Sequence, residues 1–308
     1  GASVKAVVTG SLGFVGRYLR TELEQNGYEV IGIDIREGAQ TRKLDLLDAA
    51  SVVEAVAEIR PNMIIHLAGQ ANVGLSWKQP QQTMEVNVIG AVNLMEAVRQ
   101  VDSTIRMVLV GSSDEYGVLG ADGALVKETL ATKPQTPYAV SKKAQEEMAQ
   151  VYVKAYGLNI CMTRSFNHGG AGQREGFLIP DFAAGIVRVE RGQQPCLRVG
   201  NLAAKRDFTH VRDVVRAYRL LAEKGQPGEI YNVGSGEPHS VQEILDRLCA
   251  MASCRIPVEC DPAKMRPSDT PVICCDHSKL TKDTGWMPIY SLENILTETL
   301  TYWREQIK

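Results

Sequence analysis

The chain has 308 residues, 44% of them hydrophobic and 23% charged, with 34 Lys and Arg against 36 Asp and Glu for a net charge of -2. This is a globular composition, long enough to bury a core without help from disulfides or metals, which argues against fibrous and disordered classes. The charge balance gives no case for nucleic acid or an anionic membrane surface as a partner, and no apolar run approaches the roughly 18 residues that span a bilayer.

From the N-terminus, Lys5-Ala6-Val7-Val8-Thr9-Gly10 reads as a buried strand running into a glycine turn. Val15, Leu19 and Leu23 then recur at helical spacing, with Gly27 where a helix C-terminus is expected. Residues 29–34 form a second strand, which completes a strand–helix–strand unit. The alternation continues with a helix over 51–59, a strand over 63–67, a helix over 84–100 and a strand over 106–110. A long helix over 138–156 and a strand over 159–163 follow. Short apolar strands alternating with helices mean a parallel sheet covered on both faces. We therefore expect an α/β fold: a doubly wound parallel sheet of the Rossmann type over residues 1–165. Beyond it, residues 166–308 are expected to form a smaller mixed α/β region, interleaved with the sheet and used mainly for substrate. Its elements are helices over 178–191, 211–223 and 240–252 and strands near 196–199, 229–233 and 255–259.

The chain enters its first strand without the charged and apolar stretches of a secretory leader, so a cytoplasmic protein is expected. The seven cysteines, at 161, 196, 249, 254, 260, 274 and 275, contain no CxxC pair and read as reduced thiols without a metal site.

Three patterns carry chemistry. Gly10, Gly13 and Gly16 are spaced GxxGxxG between strand and helix. Glycines there let a backbone turn approach a pyrophosphate, and the helix presents unpaired N–H groups to it. Leu12, Phe14 and Val15 belong to the same turn. Asp34 ends the second strand, where a carboxylate accepts hydrogen bonds from an adenosine ribose. That favours NAD(H), while Arg36 two residues on suits the 2′-phosphate of NADP(H). Asp45 and Leu46 follow a later turn and are candidates for the edge of the adenine. Tyr138 and Lys142 share one helix face at i, i+4. A neighbouring ammonium stabilises a phenolate and lowers the tyrosine pKa, which suits proton transfer at a carbonyl or alcohol. A third member is expected just after the strand over 106–110, from the run Gly111-Ser112-Ser113-Asp114-Glu115-Tyr116-Gly117.

These pieces, with His66-Leu67-Ala68-Gly69, Asn87-Val88-Ile89-Gly90 and Arg164-Ser165-Phe166-Asn167-His168, resemble the extended short-chain dehydrogenase/reductases that act on nucleotide sugars. Within them the chain looks most like the GDP-4-keto-6-deoxy-D-mannose reductases, relatives of the GDP-mannose 4,6-dehydratases. Gln70, Gly172-Gln173, Val199-Gly200-Asn201, Arg206-Asp207-Phe208-Thr209 and the run from Asp261 to Pro267 carry that closer likeness.

The resemblance implies Ser112, Tyr138 and Lys142 as the catalytic set. Asp114 falls where the dehydratases carry an acid. It implies Leu67, Ala68, Gly69 and Asn87 at the cofactor, with Asn87 supporting Lys142 through water. It implies Gln70, Ser113, Asn167, Val199, Gly200, Asn201, Lys205, Arg206 and Arg266 at the sugar nucleotide. The glycine-rich run 169–171 departs from the family, which usually has a branched residue and a proline there.

His66 reads as a packed histidine, and Trp286 as a core residue of the C-terminal region. The implied activity is NAD(P)H-dependent reduction of the C4 keto group of a GDP-4-keto-6-deoxyhexose to GDP-D-rhamnose. Alternatives are a GDP-mannose 4,6-dehydratase, a nucleotide-sugar 4-epimerase, and a dinucleotide sensor without catalysis. A homodimer is expected through the helices over 84–100 and 138–156, with Leu94, Met95, Val98, Met148, Val151 and Tyr152 as apolar candidates for its surface.

Overall fold

The computed structural model describes residues 3–117, 125–265 and 271–308. Strand β1 (Lys5–Thr9) leads through the glycine turn into α1 (Phe14–Gln25), then β2 (Glu29–Asp34), β3 (Thr41–Lys43), α2 (Ala49–Ile59) and β4 (Met63–His66). Asp48 caps α2 by accepting the Ser51 N–H at 3.2 Å, one of the orphan donors at a helix start. Two short helices follow, α3 (Val73–Lys78) and α4 (Pro80–Met84), and then α5 (Gly90–Val101). The single helix expected over 84–100 is interrupted by a π-helical turn at Glu85–Ile89. Asn87 in that turn is fully buried and holds both backbone polar groups of Gln70, accepting its N–H at 2.7 Å and donating to its carbonyl oxygen at 3.0 Å. A widened turn of this kind is common where a helix serves a site.

Strand β5 (Arg106–Ser112) is followed by a 3-10 turn, Ser113–Tyr116, and by α6 (Pro137–Tyr156). Helix α6 starts firmly: Thr136 accepts the Ala139 N–H at 3.0 Å and Pro137 fits the first turn, where no N–H partner exists. Strand β6 (Asn159–Ser165), the short β7 (His168–Gly169) and α7 (Leu178–Glu190) come next. They are followed by β8 (Leu197–Val199), β9 (Lys205–Asp207), β10 (Thr209–His210) and α8 (Val211–Lys224). The chain ends with β11 (Ile230–Val233), β12 (Pro238–Ser240), α9 (Val241–Ala250), β13 (Val258–Cys260), α10 (Ser278–Thr284) and α11 (Leu292–Gln306).

Seven strands form one parallel sheet in the order β11-β6-β5-β4-β1-β2-β3. The chain runs outward from β1 to β3 and then resumes on the other side of β1 with β4. The crevice outside the ends of β1 and β4 is the switch point where such sheets hold ligands. One sheet face packs on α1 and α8 through Leu19, Leu23, Val214 and Tyr218. The other packs on α2, α5 and α6 through Val52, Leu94, Val98 and Tyr152. A separate core joins α7, α9 and α11 through Phe182, Ile244 and Leu296.

Trp286 packs as expected among residues of the C-terminal region, in the core shared with α8, donating its indole N–H to the Asp213 carbonyl oxygen at 2.9 Å. The apolar set expected on the outside of α5 and α6 changes. Leu94, Met95, Val98 and Tyr152 are buried against the sheet, because the wide stripe a sheet-covering helix needs consumes them. Val151 stays 54% exposed, and Ile89, Val140 and Tyr156 are the other exposed apolar residues on these segments. Among the described residues no helix is long and apolar enough to cross a membrane.

Candidate active site

One continuous cavity of about 1890 Å³ starts at the glycine turn, passes the end of β5 and α6, and reaches α7, β8 and α11. Gly10 takes φ +69, a left-handed conformation that side chains resist, and a Cβ on Gly16 would collide with the Gly10 carbonyl oxygen. The turn therefore lies directly on the start of α1, leaving that end open to an anion. Phe14 and His168 stack at 6.3 Å on the same wall. Leu12, Gly13, Val15, Asp45, Leu46, Leu67, Ala68 and Gly69 line the cavity beside them.

Asp34 is buried at the end of β2, where its Oδ2 accepts the Leu12 N–H at 3.1 Å. Its Oδ1 accepts from the Arg36 backbone N–H and Nε. Burial pulls its pKa up, but the Arg36 and Leu12 hydrogen bonds outweigh it and hold the carboxyl below its ordinary value. The residues thus fit a dinucleotide: a cradle a Cβ would fill, a free helix start, and an ionised carboxylate one strand away.

At the end of β5, Ser112 begins the 3-10 turn and its hydroxyl accepts the Asp114 N–H at 3.1 Å. Tyr138 and Lys142, one turn apart on α6, reach the same point, and both line the cavity. Lys142 is 6% exposed and donates to the Val110 carbonyl oxygen at 3.2 Å. Burial lowers its pKa to about 8.

The Tyr138 hydroxyl departs from the sequence expectation. Burial and then the charge of Asp114 push its pKa up, opposed by a hydrogen bond with Ser112. With the ring walled in, desolvation of the phenolate outweighs any help from the ammonium. The hydroxyl is therefore a retained proton, suited to donation. Asp114 faces the cavity, with burial raising its carboxyl and the Arg206 charge opposing that rise.

Beyond this point Asn167, Val199, Gly200, Asn201 and Arg206 line the cavity as expected. Arg206 is held on β9 because the next residue, Asp207, is a buried hub. It accepts the Ser235, Gly236 and Cys275 N–H groups at 3.0, 2.8 and 2.9 Å. Gly200 lets the segment of Lys264 close in, since a Cβ there would lie 2.5 Å from the Lys264 carbonyl oxygen.

Gln70, Ser113, Asn87 and Lys205 do not line the cavity. The Gln70 amide donates to the Asn72 carbonyl oxygen at 2.8 Å and to Thr83 at 3.2 Å. The Asn87 amide bonds both backbone polar groups of Gln70 and donates to the Ser141 hydroxyl at 2.9 Å. Ser113 is turned aside by the 3-10 turn, and Lys205 lies at the exposed start of β9. Arg266 lies outside the described residues.

The sequence reading missed Trp77 on α3, Leu178, Asp181 and Phe182 on α7, and Tyr302 on α11, all on the cavity wall. The period-3.6 apolar pattern of 292–306 could have revealed α11. Nothing local marks Trp77. His66 is a packed histidine: its Nδ1 lies 2.7 Å from the Thr9 hydroxyl, and burial lowers its pKa to about 3.

The family model described as GDP-mannose 4,6 dehydratase matches residues 7–299. A GDP-6-deoxy-D-mannose reductase of Pseudomonas aeruginosa is 32% identical over 304 residues, covering 98% of this chain and 97% of the relative. Among solved structures, RMD from Pseudomonas aeruginosa complexed with NADPH superposes with a TM-score of 0.90 at 30% identity, covering 99% of this chain and 100% of that one. A UDP-glucose 4-epimerase of Thermus thermophilus in complex with NAD gives 0.87 at 30% identity, covering 99% and 100%.

Proposed function

The chain belongs to the GDP-mannose 4,6-dehydratase family, and we propose that it reduces the C4 keto group of GDP-4-keto-6-deoxy-D-mannose to GDP-D-rhamnose with NADH or NADPH. The observation that carries this reading is the meeting of Ser112, Tyr138 and Lys142 at the end of β5, on a cavity that joins the glycine turn to Arg206. The reductase among the relatives, matched over nearly its whole length, supports it.

Gly10, Gly13, Gly16 and Asp34 would hold the dinucleotide, with Arg36 at its adenosine end. When bound, the reduced cofactor supplies hydride to the sugar C4. Tyr138 gives the proton that the C4 oxygen then needs, and its raised pKa keeps that proton in place until the oxygen turns basic. Ser112 donates a hydrogen bond to the same oxygen and orients it. Lys142 carries positive charge into the wall beside Tyr138 and would hold the nicotinamide ribose. Asn167, Asn201 and Arg206 hold the sugar nucleotide, where a guanidinium fork suits diphosphate oxygens. Residues 1–165 would serve the cofactor and 166–308 mainly the substrate, with α8 and β11 shared between them.

Asp114 supports a second reading, a GDP-mannose 4,6-dehydratase. A carboxyl raised by burial, on the cavity wall beside Tyr138, suits removal of a C5 proton. Incubation with GDP-mannose alone, then with the 4-keto-6-deoxy sugar and reduced cofactor, separates the cases. Stoichiometric consumption of NADH or NADPH supports the reductase. Conversion of GDP-mannose without added reductant supports the dehydratase, and cofactor binding without turnover a sensor. An epimerase would turn over a nucleotide sugar with no net cofactor consumption. The seven free thiols suit a reducing cytoplasm. Ile89, Val140, Val151 and Tyr156 suit a homodimer through α5 and α6, which light scattering at micromolar concentration tests.

A further inference from the structure

The end of the cavity away from the glycine turn is built on one face of α7. Leu178, Asp181, Phe182, Gly185 and Arg188 all line it, at the spacing that sets side chains on one side of a helix. Facing them is β8, with Leu197 and Val199 on the cavity wall. Helix and strand close on each other at Gly185, where a Cβ would lie 2.4 Å from the Leu197 side chain. Phe182, Leu197 and Val199 are buried in the same core, and with Leu178 they give this end an apolar floor of the kind an aromatic ring takes. Arg206 is close enough to Asp114 for its charge to act there. A nucleotide sugar with its hexose at Tyr138 and its diphosphate at Arg206 therefore still has its base to place, and none of the steps above uses this floor.

Two charged groups stand on that α7 face, about one turn to either side of Gly185. Arg188 is committed to Glu175, donating from Nη1 and Nη2 to its two oxygens at 2.6 and 2.8 Å. Asp181 is exposed to the cavity. Its Oδ1 accepts the Gly176 N–H at 2.8 Å, which fixes the carboxyl against the loop before α7. Among the described residues its Oδ2 takes no hydrogen bond, and Oδ1 keeps a second lone pair. A carboxylate can only accept. Guanine sets two donors side by side on its edge, N1–H and the 2-amino group. Uracil has one N–H between two carbonyls, and adenine and cytosine set their amino group beside a ring-nitrogen acceptor. A carboxylate thus pairs with guanine through both oxygens and meets a repelling acceptor on each of the others.

We propose that Asp181 selects the nucleobase, reading the N1–H and 2-amino group of guanine at the α7–β8 end of the cavity. The inference rests on the nucleotide-sugar reading and deepens it, and it is independent of what happens at the sugar C4.

The test is calorimetric titration of the full chain with four nucleoside diphosphates: GDP, UDP, the inosine form that lacks the 2-amino group, and the xanthosine form that carries a carbonyl in its place. The wild type is expected to bind GDP roughly tenfold or more above the inosine form, the loss of one charge-assisted hydrogen bond, and further above the xanthosine form and UDP. Asp181→Asn turns one acceptor into a donor, so GDP weakens and the xanthosine form, with N1–H beside a carbonyl, becomes the tighter ligand of the two. Asp181→Ala brings GDP and the inosine form to within a few-fold of each other without that reversal. An unchanged order of ligands in Asp181→Asn overturns the proposal, and so does an equal weakening of all four, which is what a loosened α7 gives. Tighter binding of UDP than of GDP by the wild type overturns it as well. Reversal in Asp181→Asn without any C4 reduction by the wild type would sink the reductase reading and leave this one standing. C4 reduction with no change of base preference in Asp181→Asn would do the opposite.

Discussion

Arg36 donates to Asp34 twice, from its backbone N–H at 3.0 Å and from Nε at 3.2 Å, while its guanidinium remains 60% exposed. On the proposed cofactor reading the carboxylate would take a ribose 2′-hydroxyl, and the exposed arginine would swing toward a 2′-phosphate. Asp34→Ala should weaken NADH binding by roughly 10- to 100-fold, the loss of a charged hydrogen-bond acceptor, and weaken NADPH less. Arg36→Ala should weaken NADPH selectively. Fluorescence titration of both cofactors against each variant checks this; equal losses for the two cofactors would contradict it.

Tyr138→Phe removes the proton donor and leaves the cavity shape. Turnover should fall by about 10²- to 10⁴-fold, with cofactor affinity within a few-fold of wild type. Steady-state kinetics beside a binding titration measure both. Turnover near the wild-type value would remove Tyr138 from the mechanism.

Gly16→Ala places a methyl group against the Gly10 carbonyl oxygen and Ser11, both backbone, so nothing flexible can yield. The turn must separate from α1, and dinucleotide binding should be lost even where circular dichroism shows a folded chain. Retained binding would mean that the turn adapts more than its geometry allows.

The burial of His66 makes an acid prediction. Its pKa is about 3 folded against 6.5 unfolded, so between those values the unfolded chain binds the extra proton. Stability from this group is complete above 6.5 and is lost as pH falls toward 3, by up to roughly 5 kcal/mol. Urea unfolding at pH 7 and pH 4.5 should show a steeper loss for wild type than for His66→Gln.

Much of the site was legible because its parts are local. The glycine turn, Asp34 at a strand end and the i, i+4 pair Tyr138 and Lys142 each declare themselves within a few residues. The upward shift of the Tyr138 pKa was not legible, since it depends on how completely the ring is walled in and on the placement of Asp114. The break in the helix over 84–100 was hidden too. The apolar period runs through it, and the π turn exists because Asn87 binds the backbone of Gln70, a contact between separate segments.

The sequence by itself determined the doubly wound sheet, the glycine turn between its first strand and helix, and the shared helix face of Tyr138 and Lys142, because each follows from short-range periodicity or spacing. Only the tertiary structure decided which polar residues face the cavity and which are consumed as struts. Asn87 and Gln70 turned out to be struts, Trp77 and Asp181 wall, and Glu115 a buried carboxyl set against Arg164 and Glu146. The physical reason is that burial and pairing belong to groups brought together from distant parts of the chain. The value of a charge is set by the dielectric and the neighbours that the fold supplies.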